Sequence, residues 1–323
     1  MKRLFNLQTI AASIFMLAVG QAMAAATVKI TPLGSHDGEF CVNDRALIFE
    51  DPNGTRILYD AGRTVRGAND PRLGKIDVVL LSHVHGDHLG DKHQPSANAG
   101  TCAKPDFSVS DTPHSNTVNI VVSKQARFIV GGEMASFFSQ KVKAAGGDPK
   151  QVMLLRFGAE KSIDGVGIAS VPAAHSNGLS PDFLAGDYAK QLKANGLTAY
   201  VGPPGGFVLR FSNGLVVYLS GDTGITADQK LVVNGYYHPK LVVMNIGGTY
   251  TTGPKEAAYV INELVKPRAV IASHANEVAT KNGKLLPGTR TAIFKQATRV
   301  PVYIPLSGKT MEFNRNGQCV AGC

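Results

Sequence analysis

The chain has 323 residues, 44% of them apolar, and a formal charge of +9, enough to bury one large α/β core or two smaller ones. Its cations are dispersed, without the lysine/arginine blocks or basic-aromatic interleaving of a nucleic-acid binder, so they supply only a modest pull on anions. Beyond residue 24 no stretch is apolar and long enough to cross a bilayer.

The first element is a targeting segment. Lys2 and Arg3 precede an apolar run over about 10–19, shorter than the ~20 residues a span needs, and Ala22-Met23-Ala24 supplies a small-x-small cleavage signature. Residues 1–24 therefore read as a secretory signal peptide, with 25–323 as a single mature domain in the periplasm or outside the cell. Losing Lys2 and Arg3 lowers the charge by two, to +7. An exported chain favours disulfides for Cys41, Cys102, Cys319 and Cys323. Of the three pairings, Cys41 with Cys102 and Cys319 with Cys323 is preferred, the second pinning the tail. The absence of C-x-x-C argues against a thiolate metal site.

From Thr27 the chain is strand-rich. Val28 and Ile30 alternate with polar residues, and the runs 46–49 and 57–59 flank Pro52-Asn53-Gly54 as a hairpin. Asp60 ends the second run, either as a carboxylate supporting a ligand or as the polar end of a strand. The apolar run 76–81 reads as a buried strand, and the most informative stretch of the chain follows it.

That stretch is Ser82-His83-Val84-His85-Gly86-Asp87-His88-Leu89-Gly90-Asp91, with three imidazoles and two carboxylates inside nine residues. Neutral imidazole and carboxylate oxygen are the ligands that borderline-soft divalent metals prefer. In extended backbone, side chains repeat on one side every second residue, so His83 and His85 can reach the same ion. Gly86 lets the chain turn, so that Asp87 and His88 face a neighbouring position. One loop thus offers two half-sites.

Residues 92–117 read as an irregular loop beside the site, tied down by Cys102, with His93 and His114 as solvated histidines. A strand at 128–130 and a helix over 133–145 follow, with Met134, Phe137, Phe138 and Val142 facing the core. Strands at 152–155 and 166–171 lead to a second histidine, His175. The segment 180–205, with a helix over 183–195, reads as an insertion forming a wall or lid. A hairpin around Asn213-Gly214 delivers Ser220-Gly221-Asp222-Thr223-Gly224. A strand at 241–244, a helix from Pro254 through 264 and a strand at 269–272 lead to Ser273-His274-Ala275-Asn276-Glu277. A helix over 291–297 and strands at 302–304 and 310–313 close the chain.

His83, His175, Asp222 and His274 each follow a strand. In sheets flanked by helices, ligands gather beyond the carboxyl ends of strands, so these distant positions can converge. H-x-H-x-D-H, the later histidine, Gly-Asp-Thr-Gly and the final Ser-His, in that order, resemble the metallo-β-lactamase superfamily. Leu219 to Gly224, Gly247 to Ala258 and Pro267 to Ile271 look more like its branch containing ascorbate-6-phosphate lactonase and N-acylphosphatidylethanolamine phospholipase D than like its antibiotic-destroying branch. The resemblance implies a four-layer αββα sandwich holding two zinc ions, with manganese or iron as alternatives. It implies His83, His85 and His175 on one ion, Asp87, His88 and His274 on the other, and Asp222 bridging.

Two neighbouring cations lower the pKa of a shared water and polarise a carbonyl or phosphoryl oxygen. The expected function is therefore hydrolysis of a small-molecule lactone, ester, amide or phosphodiester by a bridging hydroxide, without a covalent enzyme intermediate. Asp87 is the candidate for orienting that water, and Tyr250 and Asn276 are candidate substrate contacts. No Gly-x-Ser-x-Gly elbow supplies a serine nucleophile. β-Lactam hydrolysis, and a non-hydrolytic metal-binding or redox module on the same fold, are the competing expectations. The sequence sets neither the substrate nor the oligomeric state.

Overall fold

The computed structural model describes residues 26–323, so the signal peptide expected over 1–24 lies outside the described residues. Two mixed sheets pack face to face. The first runs Val152–Leu154, Arg127–Val130, Val78–Leu80, Arg56–Tyr59, Leu47–Glu50, Val28–Pro32, Met311–Phe313 and Cys319–Ala321 in spatial order. The second runs Glu160–Ile163, Val166–Pro172, Gly205–Arg210, Val216–Leu219, Leu241–Asn245, Ala269–Ser273 and Val302–Tyr303.

Strand alternation builds three apolar interfaces from these sheets, and three interfaces make four layers. Val78 and Leu80 face the core between the sheets with Phe207, Leu209, Val217, Val243 and Ile271. Val79, on the opposite face of its strand, packs outward with Phe128, Val118, Ile120 and Phe138. In the second sheet, Val242, Met244, Val270 and Ala272 face outward onto Ala257, Ile261 and Phe294 of the flanking helices. Strands buried on both faces read as continuous apolar runs, which is why they were visible in the sequence. The result is the αββα sandwich.

The central strands are parallel: Arg56–Tyr59 with Val78–Leu80 and Arg127–Val130, and Val216–Leu219 with Leu241–Asn245 and Ala269–Ser273. Their carboxyl ends therefore emerge on one side. The cysteines pair as expected, Cys41 with Cys102 and Cys319 with Cys323.

Some elements differ from the sequence-based expectations. The loop over 92–117 carries two small antiparallel pairs, Lys92–His93 with Val109–Ser110 and Gly100–Thr101 with Lys104–Pro105. Its end opens an unanticipated helix, Asn116–Lys124, whose first turn is capped by the Ser115 hydroxyl accepting from Val118 N–H. Gln229–Tyr237 and Val260–Val265 wind as π-helical turns. The helix expected over 183–195 is a short 3₁₀ turn, Pro181–Phe183, followed by Gly186–Ala194.

Candidate metal centre

Five segments deliver candidate ligand side chains to one place. Past Val78–Leu80 come His83 and His85; the short helix Gly86–Leu89 carries Asp87 and His88. Val166–Pro172 leads to His175, Val216–Leu219 to Asp222, and Ala269–Ser273 to His274. The His85 Nδ1 lies 3.0 Å from His83 Nε2 and 3.2 Å from His175 Nε2. Asp222 Oδ2 sits among four imidazole nitrogens, 3.0 Å from His274 Nε2, 3.4 Å from His88 Nε2, 3.7 Å from His175 Nε2 and 3.9 Å from His83 Nε2. Asp87 Oδ2 lies 3.6 Å from His274 Nε2 and 3.8 Å from His88 Nε2.

Three overlapping groups result: His83, His85 and His175; His83, His88 and Asp222; and Asp87, His88 and His274. Within each, the ligand atoms lie within 4.8 Å of one another. The sharing of His83, His88 and Asp222 joins two half-sites through one carboxylate.

The donor set fits divalent ions. Buried imidazoles crowd their ring nitrogens together, and His274 Nε2 is buried without a hydrogen-bond partner among the described residues. Burial, together with its histidine neighbours, pushes His83 well below the usual imidazole range, and the same causes lower His85 and His175. These three rings are thus uncharged near neutrality, each with one bare nitrogen to offer. At His88, by contrast, burial is outweighed by the carboxylates of Asp222, Asp60 and Asp87, which raise the imidazole pKa to about 10, so an ion there takes the place of its second proton. Burial opposes the charge on Asp222, but His88 and His274 outweigh it and hold that carboxyl well below its ordinary range. At Asp87 the leading opposition to burial is Arg45, again with a strongly lowered result. Neutral imidazole and ionised carboxylate are the forms a metal binds.

A second ring of hydrogen bonds aims these ligands. Asp60 accepts from Ser82 N–H at 2.8 Å, from Ser82 Oγ at 2.7 Å and from His88 Nδ1 at 2.8 Å. Ser82 Oγ lies 2.9 Å from His83 Nδ1, so it accepts from that ring and turns Nε2 inward. Asp60 is therefore a ligand-supporting carboxylate. Asn177 accepts from Val84 N–H and donates to the Gly202 carbonyl, fixing the loop between His83 and His85. Gly221 turns the chain into Asp222 with φ +60°, and a Cβ there would meet the Gly205 carbonyl at 2.6 Å.

The centre floors a cavity of about 500 Å³, bounded by Val42, Tyr250 and Asn276. A second recess of about 420 Å³ also borders His175, lined by Thr198, Tyr200 and Pro203 of the insertion. Tyr250 stands exposed at the rim, and Asn276 Oδ1 accepts from Arg45 Nη2 at 3.0 Å. His93 lies apart, bonded to Asp111 at 2.6 Å, and neither it nor His114 joins a ligand group. The sequence reading missed Arg45 and assigned no roles to Ser82 and Asn177. Arg45 precedes an ordinary apolar strand and carries no local mark of burial. Ser82 and Asn177 adjoin ligand histidines, which was the available signal.

A histidine and aspartate centre at the carboxyl ends of two packed sheets defines an αββα metal-site protein. The chain belongs to the metallo-β-lactamase superfamily: the family model described as the β-lactamase superfamily domain matches residues 42–274. A metal-dependent hydrolase of Cupriavidus metallidurans is 28% identical over 275 residues, covering 81% of this chain and 80% of that protein. Among solved structures, a metallo hydrolase from Ignicoccus hospitalis superposes with a TM-score of 0.59 at 23% identity, covering 89% of this chain and 99% of that one. A metallo-β-lactamase fold protein from Bacillus subtilis gives 0.54 at 13% identity, again covering 89% and 99%. These two likenesses bear on the fold.

Proposed function

We propose that this chain is an exported metal-dependent hydrolase that holds two divalent ions, zinc foremost, and cleaves a small-molecule ester, lactone, amide or phosphodiester. The observation that carries the proposal is the position of Asp222 Oδ2, within 3.0–3.9 Å of imidazoles from both half-sites. The name of the Cupriavidus relative, a metal-dependent hydrolase, supports the same class. In this chain, Lys2 and Arg3 before an apolar run and Ala22-Met23-Ala24 support export, with which the Cys41–Cys102 and Cys319–Cys323 pairs are consistent.

His83, His85 and His175 would hold one ion, Asp87, His88 and His274 the other, and Asp222 both. When bound, the ions supply Lewis acidity toward a carbonyl or phosphoryl oxygen and make water a nucleophile near neutrality. The rest falls to the chain. Asp87, a quarter exposed at the cavity floor, is placed to orient a water by accepting its hydrogen. Asn276, its oxygen occupied by Arg45, keeps its amide hydrogens for a substrate oxygen. The cavity is of a size suited to small molecules. With a second recess sharing His175, it suits a substrate that carries more than one substituent around the scissile bond.

The test is a metal-reconstituted panel of lactones, esters, phosphodiesters and β-lactams, with elemental analysis of the same sample. The expected result is two ions per chain, turnover abolished by chelator and restored by metal, and a folded but inactive Asp222→Ala variant. Unchanged turnover in metal-free protein refutes the proposal, and preference for β-lactams reassigns the substrate. Export is checked by finding a processed chain beginning near Ala25 in the periplasmic or secreted fraction.

A further inference from the structure

Among the ligands stands a cation that ligates nothing. Arg45 lies two residues before the strand Leu47–Glu50, and its side chain is 5% exposed. Its Nη2 lies 2.7 Å from Asp87 Oδ2 and 3.0 Å from Asn276 Oδ1, and its Nε donates toward His88 Nε2 at 3.3 Å. Asp87 belongs to the Asp87, His88 and His274 group alone, and His88 to that group and the central one with His83 and Asp222. The guanidinium makes no such contact with His85 or His175 among the described residues.

The charges make this one-sidedness consequential. The centre contains the carboxylates of Asp60, Asp87 and Asp222, and the single guanidinium of Arg45. Arg63, farther out, is bound by both oxygens of Asp91 and adds no net charge. With His88 neutral, as a ligating imidazole must be, three negative charges against one positive leave two, which one divalent ion neutralises. A second ion must enter beside Arg45, share the lone pairs that it already engages, and leave the buried centre positively charged.

We propose that Arg45 is a built-in counter-cation that makes the half-sites unequal. The His83, His85 and His175 site fills first, and the Asp87, His88 and His274 site fills at higher metal concentration. The second ion is then held best together with an anion, whether hydroxide or a negatively charged substrate. This rests on the reading that the centre binds divalent ions. It adds that metal occupancy of the second site is set by a residue outside the ligand set.

The experiment is calorimetric titration of the metal-stripped full chain with zinc, with folding followed by circular dichroism. Wild type is expected to show two classes of site separated by on the order of tenfold or more, given like charges a few ångströms apart in a partly screened interior. Arg45→Met, which keeps an apolar stem and removes the charge, should strengthen the second class by a similar factor and leave the first in place. Arg45→Gln, which keeps polar contacts, should do the same, and serves if the methionine variant does not fold. Arg45→Lys should preserve the separation. Two equal affinities in wild type, or an unchanged separation in a folded charge-free variant, overturn the inference while sparing the metal reading. Absence of any zinc binding overturns the metal reading itself.

Discussion

Replacing Asp60 by asparagine asks whether one carboxylate aims histidines of both half-sites. Asp60 is 1% exposed and takes three hydrogen bonds, from Ser82 N–H, Ser82 Oγ and His88 Nδ1, at 2.7–2.8 Å. Ser82 Oγ relays the same constraint to His83. Asparagine tolerates the backbone here, φ +44°, so the substitution tests hydrogen bonding alone. Its single oxygen cannot replace both carboxylate oxygens. With that oxygen on Ser82 N–H, the amide hydrogens face the hydroxyl and ring nitrogen that formerly donated. Hydrogen bonds to charged groups contribute ~1.5–3 kcal/mol each, so losing two costs roughly 3 kcal/mol or more. Zinc affinity should fall about tenfold to a hundredfold, the usual consequence of removing a partner behind a ligand. Competition against a chromogenic chelator measures the affinity, and calorimetric melting measures the stability. A variant with wild-type melting and wild-type affinity at both sites would refute the reasoning.

Gly221→Ala places a methyl 2.6 Å from the Gly205 carbonyl in a left-handed backbone, and should cost about 1–3 kcal/mol and weaken metal binding by displacing Asp222; an unaltered denaturation midpoint counts against it. Asp70 is fully buried between Arg72 at 2.7 Å and Arg66 at 3.1 Å; burial raises its pKa, but the two arginines outweigh this and leave it well below the usual carboxylate range. A folded pKa below the unfolded value of about 3.9 means that the carboxylate stabilises the fold above roughly pH 4, and that this is lost as acid protonates it. Asp70→Asn should therefore destabilise by about 3–5 kcal/mol at pH 7 and by roughly 1 kcal/mol less at pH 3, about one unit below the unfolded pKa, with the rest lost only in stronger acid; a deficit in denaturant titration that does not shrink on acidification contradicts the assignment. The Cys41–Cys102 bridge spans a sequence separation of 61, and removing it with serines should cost about 4 kcal/mol by loop-closure entropy; a melting temperature unmoved by the double substitution argues otherwise.

The parts of the fold that were legible in the sequence are those with doubly buried strands. Val78, Val79 and Leu80 form a continuous apolar run because alternate residues face two different cores. The helix Asn116–Lys124 was hidden because Val118, Ile120, Val121 and Val122 are β-branched, and tertiary burial overrides their weak helical preference. Gln229–Tyr237 winds with a π repeat, which blurs the helical period on which such readings depend. Within the site, the histidines and Asp222 declared themselves by ligand chemistry repeated at strand ends. Asp60 remained ambiguous, because its bonds to Ser82 and His88 exist only once neighbouring strands lie side by side. Arg45 was silent for the same reason, since its partners come from 42 to 231 positions away.

The insertion over 180–205 could in principle close over the site or stand fixed beside it, and its packing decides between these. Phe183, Leu192, Ala199 and Val201 bury into the outer core of the first sheet, shared with Phe128 and Phe138. Moving the segment would expose that apolar surface, at about 25 cal/mol per Å². Asn177 adds a polar bolt: the same side chain accepts from Val84 N–H at 2.8 Å and donates to Gly202 at 2.8 Å, so it joins the metal loop to the insertion. Displacing the insertion therefore strains the peptide between His83 and His85, which ligand geometry resists. The segment thus stands as a fixed wall beside the centre, with Tyr200 projecting from its exposed edge.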